Sequence, residues 1–165
     1  MSEKQTWFSS SVTKSLSEND QLKVAEILTK IDTFDFDIFE LNSVIQNKIL
    51  FYIANSIFIM MEIDYMLEKD KWINFITGII KGYDRSICKY HNDIHAANVF
   101  QTCFVLLFKG NLKQKLYLRD LDIFSFLLAT ICHDFKHPGV SNNYLFYTND
   151  ELTITYNGKL FKFLK

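Results

Sequence analysis

The sequence predicts an all-α fold of packed helices, and three features of the chain lead to that prediction. Apolar residues recur at helical spacing along most of the 165 residues. Only 5 glycines and 1 proline interrupt this pattern, and no flexible linker or internal repeat is visible. Apolar residues make up 48% of the chain, so it can bury a core within one compact unit.

The first two predicted helices differ in how much of their surface is apolar. The first is amphipathic, with Ser17 or Asn19 as its N-cap and one apolar stripe that reaches Ile31. The second is the continuous apolar run from Ile49 to Met61. A membrane span needs roughly 20 apolar residues, so we expect this shorter run to form a buried core helix.

Two further helices are expected in the middle of the chain. Asp70 is the predicted N-cap of one, and Gly82 suits the left-handed residue that ends a helix. The next should run from about Asp93 to Phe108 and carry His95 on its inward face. The apolar residues expected on that same face are Val99, Cys103, Leu106 and Leu107.

The last long helix should begin near Asp120 and run to Asp134. Pro138 ends it, because proline disfavours the helical conformation in the residue before it and cannot continue the ladder. The segment from Leu152 to Tyr156 is the one alternating stretch, and it is β-prone but too short for the sequence to fix its state.

Composition excludes several functional classes. The net charge is −1, from 18 basic and 19 acidic residues, and no Lys/Arg run offers the basic surface that nucleic acids require. Cys88, Cys103 and Cys132 are odd in number and form no CxxC, which argues against a disulfide framework or a thiolate zinc site. Reduced cysteines in the core and a polar N-terminus without a signal-peptide stretch favour a cytoplasmic protein.

All four histidines fall in two pairs, His91 with His95 and His133 with His137, and Asp134 follows the third. Residues four apart share one face of a helix, so each pair can present its imidazoles to one point. A lone histidine on an apolar face is more often a core residue. Four of them beside a carboxylate are costly to bury unless they are coordinated, so the pattern predicts a metal site.

Two other metal templates do not match this pattern. A zincin needs glutamate in the second position of HExxH, where this chain has Asn92, and carboxylate-bridged di-iron bundles need ExxH pairs, which are absent.

Residues 90–99 (YHNDIHAANV) and 133–145 (HDFKHPGVSNNYL) resemble the catalytic domain of class I cyclic nucleotide phosphodiesterases, with its HD-type metal site. The similarity covers about residues 30–158. It implies an all-helical fold and hydrolysis of the 3′ ester of cAMP or cGMP to the 5′-monophosphate.

The resemblance implies two divalent metal ions. His95, His133 and Asp134 are similar to the ligands of the tightly bound ion, usually zinc. Asp134 also reaches a second ion, usually magnesium, with manganese as an alternative. Two such cations can lower the pKa of a bridging water to near neutrality and polarise the phosphate.

The remaining site residues surround the metal ligands in this family. His91 resembles the general acid that protonates the leaving 3′ oxygen, and His137 resembles the histidine that holds the water network. Tyr90 and Asn92 look like positions in or beside the substrate pocket.

The chain departs from the family pattern after Asn157. There the family continues into further metal ligands and a glutamine that grips the purine, whereas this chain runs from Gly158 to Lys165. We therefore expect an N-terminal extension with an outer helix at 1–30, a truncated N-terminal half of the catalytic domain at 31–158 and a divergent tail at 159–165. Little or no activity is expected from this polypeptide alone. The alternative is a non-catalytic paralogue or fragment that binds metal or associates with a full-length enzyme.

Overall fold

A computed structural model gives the structure of residues 16–45 and 48–155, and this part of the chain is helical without a strand. The all-α prediction is therefore confirmed. The helices are α1 (Glu18–Leu28), α2 (Ile38–Ile45), α3 (Ile49–Met60), α4 (Lys69–Gly82), α5 (Asp93–Lys109), α6 (Leu112–Lys115), α7 (Asp120–Cys132), α8 (Asn142–Tyr147) and α9 (Glu151–Thr155), with a 3-10 turn at Asp64–Met66. Of the predicted extension and tail, residues 1–15 and 159–165 lie outside the described residues, so those boundaries stay predictions.

The core forms where α5 packs against both α3 and α7. Phe58 of α3 lies at its centre, with ring-centroid distances of 5.3 Å to Trp72, 5.7 Å to Phe100 and 5.6 Å to Phe124. Aromatic pairs at such distances stabilise a core beyond the apolar area that they bury. The Trp72 indole N–H donates to Asn55 Oδ1 at 2.7 Å, so the polar atoms buried here are paired.

The apolar run that begins at Ile49 forms the buried core helix α3, as predicted. Within the described residues, no single helix has the length and apolar character that a membrane crossing requires. Helices α2 and α3 pass that test only when taken together, and the chain bends by 117° between them.

Helix ends agree with the sequence prediction at α1 and differ at α4. The Ser17 side chain accepts the backbone N–H of Asp20, which confirms it as the N-cap of α1. The Asp70 prediction is wrong, because α4 begins at Lys69 and Glu68 occupies the cap position. Gly82 is the last residue of α4 and has no left-handed backbone. A Cβ at this position would overlap the ring of Phe135, so the glycine permits a close approach.

Of the four apolar residues predicted on the inward face of α5, only Leu107 is fully buried, with 6% of its surface exposed. Leu106 is 53% exposed, and Val99 and Cys103 are half-buried. The face that packs in the core carries Ala96, Ala97, Phe100, Phe104 and Val105. Because α5 is apolar around much of its circumference, its neighbours α3 and α7 decide which side is covered.

The segments after α7 also differ from the prediction. Helix α7 begins at Asp120 as expected but ends at Cys132, two residues before Asp134. Lys136 then adopts a left-handed φ of 58°, and Pro138 follows after this turn. Residues 152–155 of the β-prone segment lie in helix α9, and Tyr156 lies outside the described residues. A left-handed Asn149, with a φ of 51°, precedes this helix.

Candidate metal centre

The predicted site residues lie at helix ends, where the start of α5 meets the end of α7. His91 precedes α5 in a loop, and His95 lies in the first turn of that helix. His133 is the C-cap of α7, and Asp134 and His137 follow in the turn beyond it. The prediction that each histidine pair shares one helix face is therefore wrong, although the five side chains still converge.

Two interactions fix the start of α5. Asn92 is its N-cap, and its Oδ1 accepts the N–H groups of Ile94 at 3.0 Å and His95 at 3.3 Å. The Asp93 carboxylate, with a side chain that is 3% exposed, accepts two hydrogen bonds from Arg85 at 2.5 and 2.8 Å. A buried carboxylate needs such a partner, so the pair holds the loop that carries His91 against α5.

The buried Tyr83 fixes the end of α7. Its hydroxyl donates to the carbonyl oxygen of Ile131 at 2.8 Å and accepts the N–H of Asp134 at 3.3 Å. Burial raises the pKa of Tyr83, so the hydroxyl keeps its proton and remains a donor. The last carbonyl oxygens of a helix have no hydrogen-bond donor within the helix, and the Tyr83 hydroxyl is the donor for one of them, that of Ile131.

The histidines pair in space differently from their pairing in the sequence. His91 stacks on His137 with ring centroids 4.0 Å apart, and His95 lies beside His133 at 5.3 Å. Tyr90 is 67% exposed and contacts both His91 and His95, with centroids 4.8 Å from each. The site thus has an aromatic wall on its open side.

Three potential ligand atoms meet around the Asp134 carboxylate. Asp134 Oδ2 lies 3.0 Å from His133 Nε2 and 3.3 Å from His95 Nε2, and these two nitrogens are 3.3 Å apart. Tetrahedral zinc with ligand bonds of about 2.0–2.1 Å places its ligand atoms about 3.3 Å from one another. The donor set therefore fits a zinc-sized ion. His91 Nε2 lies further out, 4.0 Å from the same oxygen.

Protonation also suits these imidazoles to bind metal. His133 Nδ1 lies 2.8 Å from the Thr130 carbonyl oxygen, which can only accept, so Nδ1 carries the proton and Nε2 keeps its lone pair. Burial, followed by the neighbouring His133, lowers the pKa of His95 and favours its neutral form. His133 therefore presents the lone pair of its Nε2 toward His95 Nε2 and Asp134 Oδ2, where a cation could bind all three atoms.

A second group of potential ligands includes a residue that the sequence did not indicate. Cys88 Sγ lies 3.8 Å from His91 Nδ1 and 3.9 Å from His137 Nδ1. All three cysteines are free as predicted, but Cys103 and Cys132 are half-buried and only Cys88 is fully buried. The spacing Cys88-x-x-His91 was the available signal, since a cysteine and a histidine three apart can ligate one metal.

Comparison with known proteins agrees with the resemblance seen in the sequence. Residues 90–161 match the family described as 3′,5′-cyclic nucleotide phosphodiesterase. The chain is 34% identical over 135 residues to 3′,5′-cyclic-AMP phosphodiesterase 4 of Dictyostelium discoideum, which covers 81% of this chain and 13% of that relative. It is 29% identical over 138 residues to the mouse dual specificity calcium/calmodulin-dependent 3′,5′-cyclic nucleotide phosphodiesterase 1C, covering 82% of this chain and 19% of that relative.

Mouse 3′,5′-cyclic-AMP phosphodiesterase 4C is 30% identical over 137 residues, covering 82% of this chain and 20% of that relative. The chain thus spans 13–20% of the length of these three relatives. The matched region contains the candidate ligands His95, His133 and Asp134 together with His91 and His137. The chain therefore belongs to the class I 3′,5′-cyclic nucleotide phosphodiesterases and carries part of their catalytic domain.

Proposed function

We propose that this site takes part in the metal-dependent hydrolysis of 3′,5′-cyclic nucleotides to 5′-monophosphates. The observation that carries the proposal is the convergence of His95, His133 and Asp134 within 3.0–3.3 Å in a member of this family. The relatives named above are cyclic-AMP or dual specificity phosphodiesterases, so cAMP and cGMP are both candidate substrates.

The first metal ion in this proposal is zinc, held by His95 Nε2, His133 Nε2 and Asp134 Oδ2. Imidazole nitrogens and a carboxylate oxygen are common zinc ligands. Asp134 would also contribute to a second ion, magnesium or manganese, which prefer oxygen ligands. When bound, such ions polarise a phosphate and lower the pKa of a coordinated water.

His91 is the proposed proton donor to the leaving 3′ oxygen. Its Nε2 faces the metal ligands at 4.0 Å from Asp134 Oδ2, and its side chain is 35% exposed, so a substrate can reach it. General acid catalysis by a positioned imidazole contributes about 10²–10⁴-fold to the rate. The stacked ring of His137 keeps His91 in this orientation.

The other predicted roles stay proposals with specific structural support. The Gly139 N–H donates to His137 Nδ1 at 3.1 Å, so Nε2 of the neutral ring carries a proton that can be donated to a water molecule. The exposed ring of Tyr90 would form a wall of the nucleotide pocket. Asn92 directs its amide to backbone groups, which suits a residue that supports the pocket by capping α5.

Hydrolysis of both cyclic nucleotides by the purified protein tests the proposal. The protein is stripped with chelator, reloaded with Zn²⁺ and Mg²⁺ and incubated with cAMP or cGMP while 5′-monophosphate is measured. We expect metal-dependent product that disappears in Asp134→Asn and persists in Asp122→Asn, whose exposed carboxylate pairs with Arg119. We also expect turnover below the usual ~10 s⁻¹, because Asp134 is the one carboxylate that the described residues bring to the candidate ligands, and magnesium prefers oxygen ligands.

Each outcome of this assay separates two interpretations. Zinc binding without hydrolysis would contradict the proposed function and favour the non-catalytic, metal-binding alternative. Hydrolysis at ordinary turnover would support the function and contradict the expectation of low activity.

No surface within the described residues favours association with a full-length enzyme, so the cyclic nucleotide is the one partner that we propose. We also propose a cytoplasmic location, which the three free cysteines support.

A further inference from the structure

Cys88 is a buried thiol that the proposed hydrolysis does not use. Its Sγ lies within 3.9 Å of Nδ1 atoms from two histidines, one in the loop before α5 and one in the turn after α7. We propose that Cys88 Sγ, His91 Nδ1 and His137 Nδ1 form a second metal site that binds a thiolate-seeking divalent cation such as Zn²⁺ or Cd²⁺. This site is distinct in its ligand atoms from the group around Asp134.

The distances fit this kind of coordination. Tetrahedral zinc with a Zn–S bond of about 2.3 Å and a Zn–N bond of about 2.0–2.1 Å places sulfur and nitrogen about 3.6 Å apart. The observed Sγ–Nδ1 distances are 3.8 and 3.9 Å, close to that value. The His91 and His137 rings stack with an angle of 24° between their planes, so they must turn relative to each other before both Nδ1 lone pairs point at one ion. The 35% exposure of the His91 side chain gives an ion access to the group.

The surrounding backbone holds the ligands ready. The N–H of His91 donates to Cys88 Sγ at 3.3 Å, which stabilises the thiolate once the thiol proton has passed to solvent on metal binding. Gly139 has a φ of 76°, and a Cβ there would lie 2.9 Å from the carbonyl oxygen of Ile87. This close approach packs the turn that carries His137 against the loop that carries Cys88.

One existing contact must be replaced when the ion binds. The Gly139 N–H donates to His137 Nδ1 at 3.1 Å, which shows that this nitrogen presents a lone pair. A cation would take that lone pair in place of the N–H. The preferred ions follow from the ligands, because a thiolate with two imidazoles selects zinc and softer cations over magnesium.

His91 belongs to both groups of ligands through opposite ring nitrogens. Its Nδ1 faces Cys88 at 3.8 Å and its Nε2 faces Asp134 at 4.0 Å. A metal on Nδ1 would hold the imidazole that we propose as proton donor, so occupancy of the thiolate site would inhibit hydrolysis. This consequence rests on the proposed function, whereas metal binding by Cys88 does not.

Titration of the whole protein with Co²⁺ tests the site without measuring activity. Thiolate ligation of Co²⁺ gives a near-ultraviolet charge-transfer band that imidazole and carboxylate ligands do not give. We expect this band in the wild-type protein, its loss in Cys88→Ser, and its retention in Cys103→Ser, the matched control on α5. The band should also persist in His133→Ala, which removes a ligand of the other group.

His137→Ala is a second test that leaves the thiol in place, and it should raise the Co²⁺ concentration needed to form the band. Circular dichroism confirms that each variant keeps its helices. Absence of the band from the wild-type protein, or its retention in folded Cys88→Ser, would overturn the proposal. A band that appears while hydrolysis is absent would leave the thiolate site supported and would count against the proposed function alone.

Discussion

Tyr83→Phe should weaken both the fold and the metal site, because one hydroxyl joins α4 to the end of α7. The substitution keeps the buried ring and its edge contact with Phe135, whose centroid lies 6.3 Å away. It removes only the hydrogen bonds to the Ile131 carbonyl and from the Asp134 N–H. The change therefore isolates the polar link between the core and a proposed ligand.

The size of the effect follows from those two contacts. A buried hydrogen bond contributes about 0.5–1.5 kcal/mol net, so losing both lowers the free energy of unfolding by about 1–3 kcal/mol. For a chain of 165 residues, each kcal/mol changes Tm by about 2–4 °C. Groups that position a metal ligand change metal affinity by about 10–100-fold when they are removed, and we expect Zn²⁺ affinity to fall within that range.

Urea denaturation in the presence of chelator measures the first effect, and Zn²⁺ titration against a competing chromophoric chelator measures the second. Tyr65→Phe is the matched control, because its hydroxyl bonds the exposed Asp120 at 2.8 Å, away from the metal ligands. It should change neither quantity appreciably. If folded Tyr83→Phe binds Zn²⁺ as tightly as the wild-type protein, the proposed positioning of Asp134 is wrong.

Three further substitutions or conditions test other contacts. Gly82→Ala should destabilise the protein by about 1–3 kcal/mol, because the new Cβ would overlap the ring of Phe135. Gly78→Ala is the control in the same urea assay: its Cβ meets open space, so it should stabilise α4 by up to about 1 kcal/mol. Arg85→Ala leaves the buried Asp93 carboxylate without a cation, so the free energy of unfolding should fall by about 3 kcal/mol. An unchanged free energy of unfolding would refute the stabilising role of this ion pair. Burial lowers the pKa of His95 in the folded protein, so the folded state binds fewer protons than the unfolded chain. The metal-free protein should therefore lose stability as pH falls below about 6.5, the ordinary pKa of histidine. His95→Gln should flatten this part of the stability profile, and an unchanged profile would contradict the assignment.

The sequence predicted the long helices well because each has a strong local pattern. The apolar run of α3 and the Ser17 cap of α1 are examples that the structure confirms. Helix α2 was missed because it is short, although Asp37 accepts the N–H groups of Phe39 and Glu40 and so provides a capping signal. The buried face of α5 could not be predicted, since an apolar helix leaves that choice to its tertiary neighbours.

The sequence could indicate the candidate site residues but not the geometry in which they meet. Periodicity placed each histidine pair on a helix, whereas the chain leaves helical geometry before His133 and passes through a left-handed Lys136. Such turns depend on contacts with distant residues, which no local pattern reports. Cys88 illustrates the same limit, because its spacing from His91 indicates one possible ligand pair but does not show that His137 lies beside both residues.

Because the proposed ligands lie at helix ends, we expect metal affinity to depend on residues that do not contact the ion. A side chain within a helix is positioned by that helix's hydrogen-bond ladder. The proposed proton donor His91 and the proposed ligand Asp134 lie outside the helices and need other supports. Arg85 holds the loop before α5 through Asp93, and Tyr83 holds the turn after α7. Loss of the Tyr83 hydroxyl should move Asp134 away from the two imidazole nitrogens that now lie 3.0 and 3.3 Å from it. Loss of Arg85 should instead change the 4.0 Å distance between His91 and Asp134. We therefore expect protein stability and metal binding to depend on the same few contacts. A metal ion that binds only the folded state should stabilise the protein by about 2.7 kcal/mol when its free concentration is 100 times the Kd.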